Sequence, residues 1–231
     1  MRVLVTPDYQ TLSQTAAELI LKAIRAKPTL TLGLPTGKTP LGMYDALVRA
    51  YREQHLDFSK LRTFNLDEFA GMPTVDPCSY RSYMRQHFFD HVNVPPDSIH
   101  FPERDSPYEK EIADAGGIDL LIAGVGMNGH IAFNEPGSSF TSRTREVRLT
   151  SQTIENAMGG SGSSPAPSRA FTMGIATILD SRCILLLASG AAKKGIIHRA
   201  LRGPVSEAVP ASALQTHPNV VAILDEDASS E

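Results

Sequence analysis

Apolar positions along the chain come in short dense runs, separated by longer stretches with helical spacing. Arg2–Thr6 reads as a first strand, and Leu19, Ile20 and Ile24 share one face of a helix over about Ser13–Ala26. A second strand follows at Thr29–Leu34. Thr39 then offers an N-cap oxygen, with Pro40 at the first helical position, and that helix runs to about Glu53. Arg62–Leu66 is strand-like, and Ser79–His91 is helical and aromatic-rich. Asp119–Val125, Cys183–Ala188 and Asn219–Leu224 are nearly continuous apolar runs, as expected of strands buried on both faces of a parallel sheet. A helix from about Ala191 to Leu201 separates the last two. The alternation predicts one α/β domain over residues 1–231, with a Rossmann-like, mostly parallel sheet and helices on both faces. In such sheets ligands bind beyond the carboxyl ends of the strands.

Composition narrows the function classes. Apolar residues make up 42% and charged residues 20% of 231, a globular balance. The net charge of −3 argues against a nucleic-acid partner, which requires a basic face to release counterions. No stretch is long and apolar enough to span a bilayer, and no leader is evident at the N-terminus, so neither membrane nor export is expected. Two cysteines, Cys78 and Cys183, make no disulfide framework; the expected compartment is the cytoplasm. The run Gly159–Pro167 breaks the rhythm and reads as a surface linker or the tip of a lid spanning about residues 151–168.

Three motifs sit at strand ends. Gly33-Leu34-Pro35-Thr36-Gly37-Lys38-Thr39-Pro40 joins a strand to a helix start, where turned-in N–H groups, the helix dipole and Lys38 suit an anion. It is not a P-loop, because Leu32 stands where that pattern needs glycine. The bland alternative is a tight turn without a ligand. In Phe64-Asn65-Leu66-Asp67-Glu68-Phe69, neighbouring acids point to opposite faces, so one of the two can enter a site and the other cannot. A carboxylate there serves as a base if burial lifts its pKa, or else caps a helix. Gly124-Val125-Gly126-Met127-Asn128-Gly129-His130-Ile131-Ala132-Phe133-Asn134-Glu135-Pro136 follows the buried strand directly. A lone histidine is usually a satisfied structural residue, but among these glycines and beside Asn128 and Glu135, His130 can shuttle protons, with Glu135 fixing its tautomer. A dinucleotide reading of Gly124, Gly126 and Gly129 is weak without the acidic residue it needs further on. A metal reading lacks the helical ligand spacing and a third ligand.

Together these motifs resemble the glucosamine-6-phosphate deaminase family. Ser142–Arg145, Thr177–Leu179 and Pro210–Pro218 extend the resemblance over nearly the whole chain. It implies a Rossmann-like fold and conversion of glucosamine 6-phosphate and water to fructose 6-phosphate and ammonia, with no cofactor and no metal. It implies that Asp67 is the enolisation base and His130 the ring-opening residue, with Glu135 as its partner. It further implies that Thr36, Gly37, Lys38, Thr39 and Lys193 hold the phosphate. Related enzymes act on galactosamine 6-phosphate, and a silent sugar-phosphate sensor is the alternative from outside enzymology.

The chain departs from that family pattern at four places. Asn128 stands where many members carry aspartate, so a shifted ring-opening pH profile is expected. Met158 replaces the lid arginine, and Lys38, where glycine or serine is usual, is expected to compensate. Arg145 matches one allosteric cation of the regulated members, whereas Val147 stands at the lysine position. The chain also stops soon after Asp227, and an unregulated monomer is the expectation.

Overall fold

A computed structural model describes residues 1–150, 153–155 and 167–229. Seven parallel strands form the central sheet: β1 (Arg2–Thr6), β2 (Thr31–Leu34), β3 (Arg62–Asn65), β5 (Ile99–His100), β6 (Leu120–Gly124), β9 (Ile184–Ala188) and β10 (Val220–Asp225). Their order across the sheet is β1-β10-β9-β6-β2-β3-β5. Every apolar run anticipated as a strand is one. The sheet is parallel throughout.

The dense apolar runs follow from burial on both sides. Leu120 and Ile122 enter one core while Leu121 and Ala123 enter the other, and Leu185 and Leu187 alternate in the same way with Ile184 and Leu186. The first core is closed by α1 (Tyr9–Ala26), α2 (Leu41–Gln54) and α3 (Tyr80–His87). The second is closed by α4 (Tyr108–Asp114), α5 (Ile175–Leu179), α6 (Lys194–Arg202) and a 3-10 segment, Pro210–Thr216. Truncating a residue such as Leu121, fully buried at the sheet centre, costs roughly 2–5 kcal/mol. Among the described residues no helix is long and apolar enough to cross a membrane.

Three local expectations are corrected. Helix α1 starts at Tyr9 rather than Ser13, because the Asp8 carboxylate accepts the Thr11 N–H at 2.7 Å. Thr39 does not cap α2: the N-cap position is Pro40, without a side-chain bond, and the Tyr9 hydroxyl accepts the Gly42 N–H at 2.9 Å. The stretch Ser79–His91 is not one helix. Ser79 caps α3, which ends at His87, and a separate 3-10 turn covers Phe89–His91.

A second, three-stranded antiparallel sheet was not anticipated. It pairs β4 (Asp67–Phe69) and β7 (Arg145–Arg148) on either side of β8 (Arg169–Thr172). Strand β3 therefore passes into β4 across Leu66 alone, and Asp67 is fixed by pairing opposite Thr172. Most of the anticipated lid, including Met158 and the run Gly159–Ala166, lies outside the described residues.

Candidate active site

The strand order reverses between β2 and β6. From β2 the chain adds β3 and β5 on one side, and from β6 it adds β9 and β10 on the other. Loops leaving the carboxyl ends of adjacent strands must diverge at such a point, which opens a crevice. A cleft of about 420 Å³ lies there, lined by Pro35–Pro40 after β2, Asp67 after β3, Gly124–Met127 and His130 after β6, and Lys193 after β9. A groove of about 430 Å³ between α2 and the end of α3 sits away from these strand ends and carries none of the candidate residues.

Alternation along β4 separates the two acids. Glu68 turns away from the cleft: its Oε1 accepts the N–H groups of Phe69 and Tyr80, and its Oε2 that of Arg81, at 2.8–2.9 Å. It thus binds the start of α3 and has a structural role. Asp67 faces the cleft, is 6% exposed, and its buried Oδ1 has no partner among the described residues. Burial, with a smaller contribution from the Glu68 charge, pushes its pKa up to about 8.

The His130 loop is built around one close approach. A Cβ on Gly126 would lie 2.1–2.3 Å from three atoms of the imidazole, so the ring rests on bare glycine backbone. The loop closes on itself through Gly126 N–H to His130 O at 2.9 Å and Gly129 N–H to Gly126 O at 3.0 Å. Asn134, fully buried, donates to the carbonyls of Ile131 and Met173 and accepts from Arg145. Arg145 is therefore engaged in bracing this loop. Ala132 takes a positive φ of 49°, a sparsely populated conformation for a residue with a side chain.

Behind the ring stand Glu135 and Asn128, neither of which lines the cleft. Glu135 Oε1 approaches His130 Nδ1 at 3.8 Å, which is electrostatic range and not a hydrogen bond. Asn128 makes no hydrogen bond to the imidazole. Its Oδ1 accepts the His130 backbone N–H at 3.2 Å, and its Nδ2 donates to Glu135 Oε2 at 2.6 Å. The hydroxyl of Thr153 donates to the other carboxylate oxygen. Burial lowers the His130 pKa, with Glu135 opposing and Lys193 adding to the effect, so the resting imidazole is neutral.

Thr36, Gly37, Lys38 and Thr39 form the wall opposite, with Gly37 at a φ of +98° that only glycine takes without strain. Lys193 reaches over from the β9 side and donates to the Val125 carbonyl at 2.7 Å, and burial lowers its pKa. The turn before it is held by Asp225, which accepts the Gly190 N–H and the Ser189 hydroxyl. Of the nine anticipated site residues, seven share the cleft, and Asn128 and Glu135 support His130 from behind. Tyr80, Thr153 and Ser189 line the cleft unannounced. Of these, only Ser189 carries a local signal that could have found it, because it directly follows the apolar strand ending at Ala188. Among the described residues no three side chains of the metal-ligating types gather.

Comparison with known proteins agrees with this architecture. The family described as glucosamine-6-phosphate isomerases/6-phosphogluconolactonase matches residues 8–222. A glucosamine-6-phosphate deaminase of Clostridium botulinum (strain Loch Maree / Type A3) is 43% identical over 240 residues, covering 100% of this chain and 98% of the relative. Glucosamine-6-phosphate deaminase 2 of Bacillus subtilis (strain 168) is 45% identical over 242 residues, covering 100% and 97%. The solved structure of a monomeric glucosamine-6-phosphate deaminase superposes with a TM-score of 0.94 at 41% identity, covering 99% of this chain and 98% of that one. The 6-phosphogluconolactonase from Trypanosoma cruzi shares the fold, with a TM-score of 0.76 at 21% identity. With full-length relatives above 40% identity and a cleft at the strand-order reversal, the chain belongs to the glucosamine-6-phosphate isomerase/6-phosphogluconolactonase family.

Proposed function

We propose that this protein is a glucosamine-6-phosphate deaminase, converting glucosamine 6-phosphate and water to fructose 6-phosphate and ammonia. The observation that carries the reading is Asp67, a buried carboxyl with an unpartnered oxygen in the same cleft as His130 and the Thr36–Thr39 loop. A carboxyl poised near pH 8 is a competent base for a proton next to a carbonyl. It is also strong enough as an acid to return that proton.

The steps follow from the placement. Neutral His130 takes the anomeric hydroxyl proton and helps protonate the ring oxygen, giving the open aldehyde. The imidazolium formed in passing is stabilised by Glu135 at 3.8 Å. Asp67 removes the proton from C2 and delivers it to C1, while O1 gains the proton that the C2 nitrogen gives up, leaving a ketimine at C2. Water adds to that carbon and ammonia departs, giving the ketone. C1 is reduced as C2 is oxidised, so electrons balance within the sugar. Thr36, Gly37, Lys38, Thr39 and Lys193 hold the phosphate at the far end and fix the sugar's register against Asp67.

The likeness to a deaminase described as monomeric supports action as a monomer, which sedimentation would test. The two cysteines stand free, which supports the cytosol as its compartment. The function is tested by ammonia release from glucosamine 6-phosphate and galactosamine 6-phosphate in parallel. Turnover of the gluco sugar is expected. Turnover of the galacto sugar alone would rename the enzyme, and binding of either without ammonia would make the chain a sensor.

A further inference from the structure

The loop Pro35–Thr39 is held from outside the cleft by three tyrosine hydroxyls, one from each helix of the first core. Tyr44 on α2, fully buried, donates to the Pro35 carbonyl at 2.7 Å. Tyr83 on α3 donates to the Gly37 carbonyl at 2.5 Å. Tyr9 on α1 lies 3.1 Å from the Thr39 carbonyl and 3.3 Å from that of Lys38, while accepting the Gly42 N–H. None of the three lines the cleft.

In a trans peptide unit the C=O and the following N–H point in opposite directions. A carbonyl drawn outward at Pro35 therefore turns the Thr36 N–H inward, and the Gly37 carbonyl does the same for Lys38. Among the described residues, none of the N–H groups of Thr36, Gly37, Lys38 and Thr39 meets a protein acceptor. Consecutive donors left free in this way form a concavity suited to an anion. Left alone, a loop with so many unspent donors would relax to satisfy them.

We propose that Tyr44 and Tyr83, assisted by Tyr9, are positioning residues for the substrate's phosphate: Tyr44 holds the Thr36 N–H, Tyr83 the Lys38 N–H and Tyr9, through the Lys38 carbonyl, the Thr39 N–H turned into the cleft. The proposal rests on the deaminase reading only in naming a sugar phosphate as the anion's source. Burial pushes the Tyr44 and Tyr83 hydroxyls above their ordinary pKa, so both remain donors throughout the working range. Phenylalanine at either place keeps the ring, including the contact of Tyr44 with Phe88 at 5.3 Å between centroids, and removes only the donor.

The test compares wild type, Tyr44→Phe, Tyr83→Phe and the double variant. The readouts are the Kd for inorganic phosphate by calorimetry, KM and kcat for glucosamine 6-phosphate, and thermal unfolding. Each single change is expected to weaken phosphate and raise KM by a common factor of about 10, with kcat within about twofold. Unchanged Kd and KM in Tyr83→Phe would overturn the proposal, whatever happens to the melting temperature. Tyr83 is only half-buried, so this variant decides the matter if Tyr44→Phe fails to fold. A wild type that does not bind phosphate at tens of millimolar would overturn it too. A wild type that binds phosphate, loses it on Tyr83→Phe and releases no ammonia would sink the deaminase reading and leave the clamp standing.

Discussion

Replacing Gly126 by alanine separates the placement of His130 from every other part of the site. The new Cβ would stand 2.1 Å from Cε1, 2.2 Å from Nε2 and 2.3 Å from Nδ1 of the imidazole, where contacts under 3.0 Å are essentially never found. The atoms it meets belong to a side chain that lines an open cleft, so the ring moves and the backbone stays. Restoring ordinary contact requires a displacement of at least about 1 Å. A misplacement of that size at a catalytic group costs on the order of 100-fold in rate. The Thr36–Thr39 loop and Lys193 are untouched, so KM for glucosamine 6-phosphate is expected to change by less than about threefold. Ammonia release measured by a coupled assay gives both constants, and thermal unfolding checks that stability falls by no more than about 1 kcal/mol. In a His130→Ala background the same Gly126→Ala change is expected to have no further effect on kcat, because there is no ring left to displace. A Gly126→Ala enzyme within threefold of wild type in kcat, or an undiminished loss in the His130→Ala background, would refute this reasoning.

Asp67 sets two pH dependences. Its pKa is raised, so the active carboxylate is lost as pH falls below about 8, and kcat/KM of the free enzyme is expected to fall with it, about tenfold per pH unit on the acid limb. The same raised pKa means the fold favours protonated Asp67. That stability is complete below the unfolded value near pH 4 and is lost as pH rises towards about 8, by up to about 1.4 kcal/mol per unit. Asp67→Asn should therefore unfold at a progressively higher temperature than wild type from pH 5 to 8, and a constant difference would contradict the assignment. Asn128→Asp would set a second carboxylate against Glu135, where the Asn128 amide now donates at 2.6 Å. The added negative charge should raise the His130 pKa and move its limb of the kcat/KM profile to higher pH, and superimposable profiles would refute this. Lys38 is exposed on the cleft wall, so Lys38→Gly should raise KM only a few-fold and less at high salt. Lys193→Met, which removes a half-buried cation, should raise it by roughly 10–100-fold, and equal effects would show that Lys38 replaces the lid arginine outright.

Strands were legible where burial on both faces demanded dense apolar runs, as at Leu120–Gly124 and Ile184–Ala188. The second sheet was not, because β4 and β7 are three and four residues long, carry charges, and are held by pairing with distant β8. Alternation along Asp67-Glu68 showed that one acid would enter the cleft, and pairing opposite Thr172 decided which. The histidine loop was legible as glycines around His130. Its close approach to Gly126 depends on the folded path of the chain. Contacts between distant positions left no local signal: Thr153 reaches Glu135, and three tyrosines on three helices reach one loop. The cap of α2 was misjudged for the same reason, since a hydroxyl from α1 took the role assigned to Thr39.

The central claim is that Asp67 carries the proton from C2 to C1. It is tested most directly with glucosamine 6-phosphate deuterated at C2, given to wild type and to Asp67→Asn. The account predicts that wild type releases ammonia more slowly from the deuterated sugar and delivers part of the deuterium to C1 of fructose 6-phosphate. It predicts that Asp67→Asn binds inorganic phosphate as wild type does and releases no ammonia. Ammonia from Asp67→Asn at a rate within tenfold of wild type would contradict it.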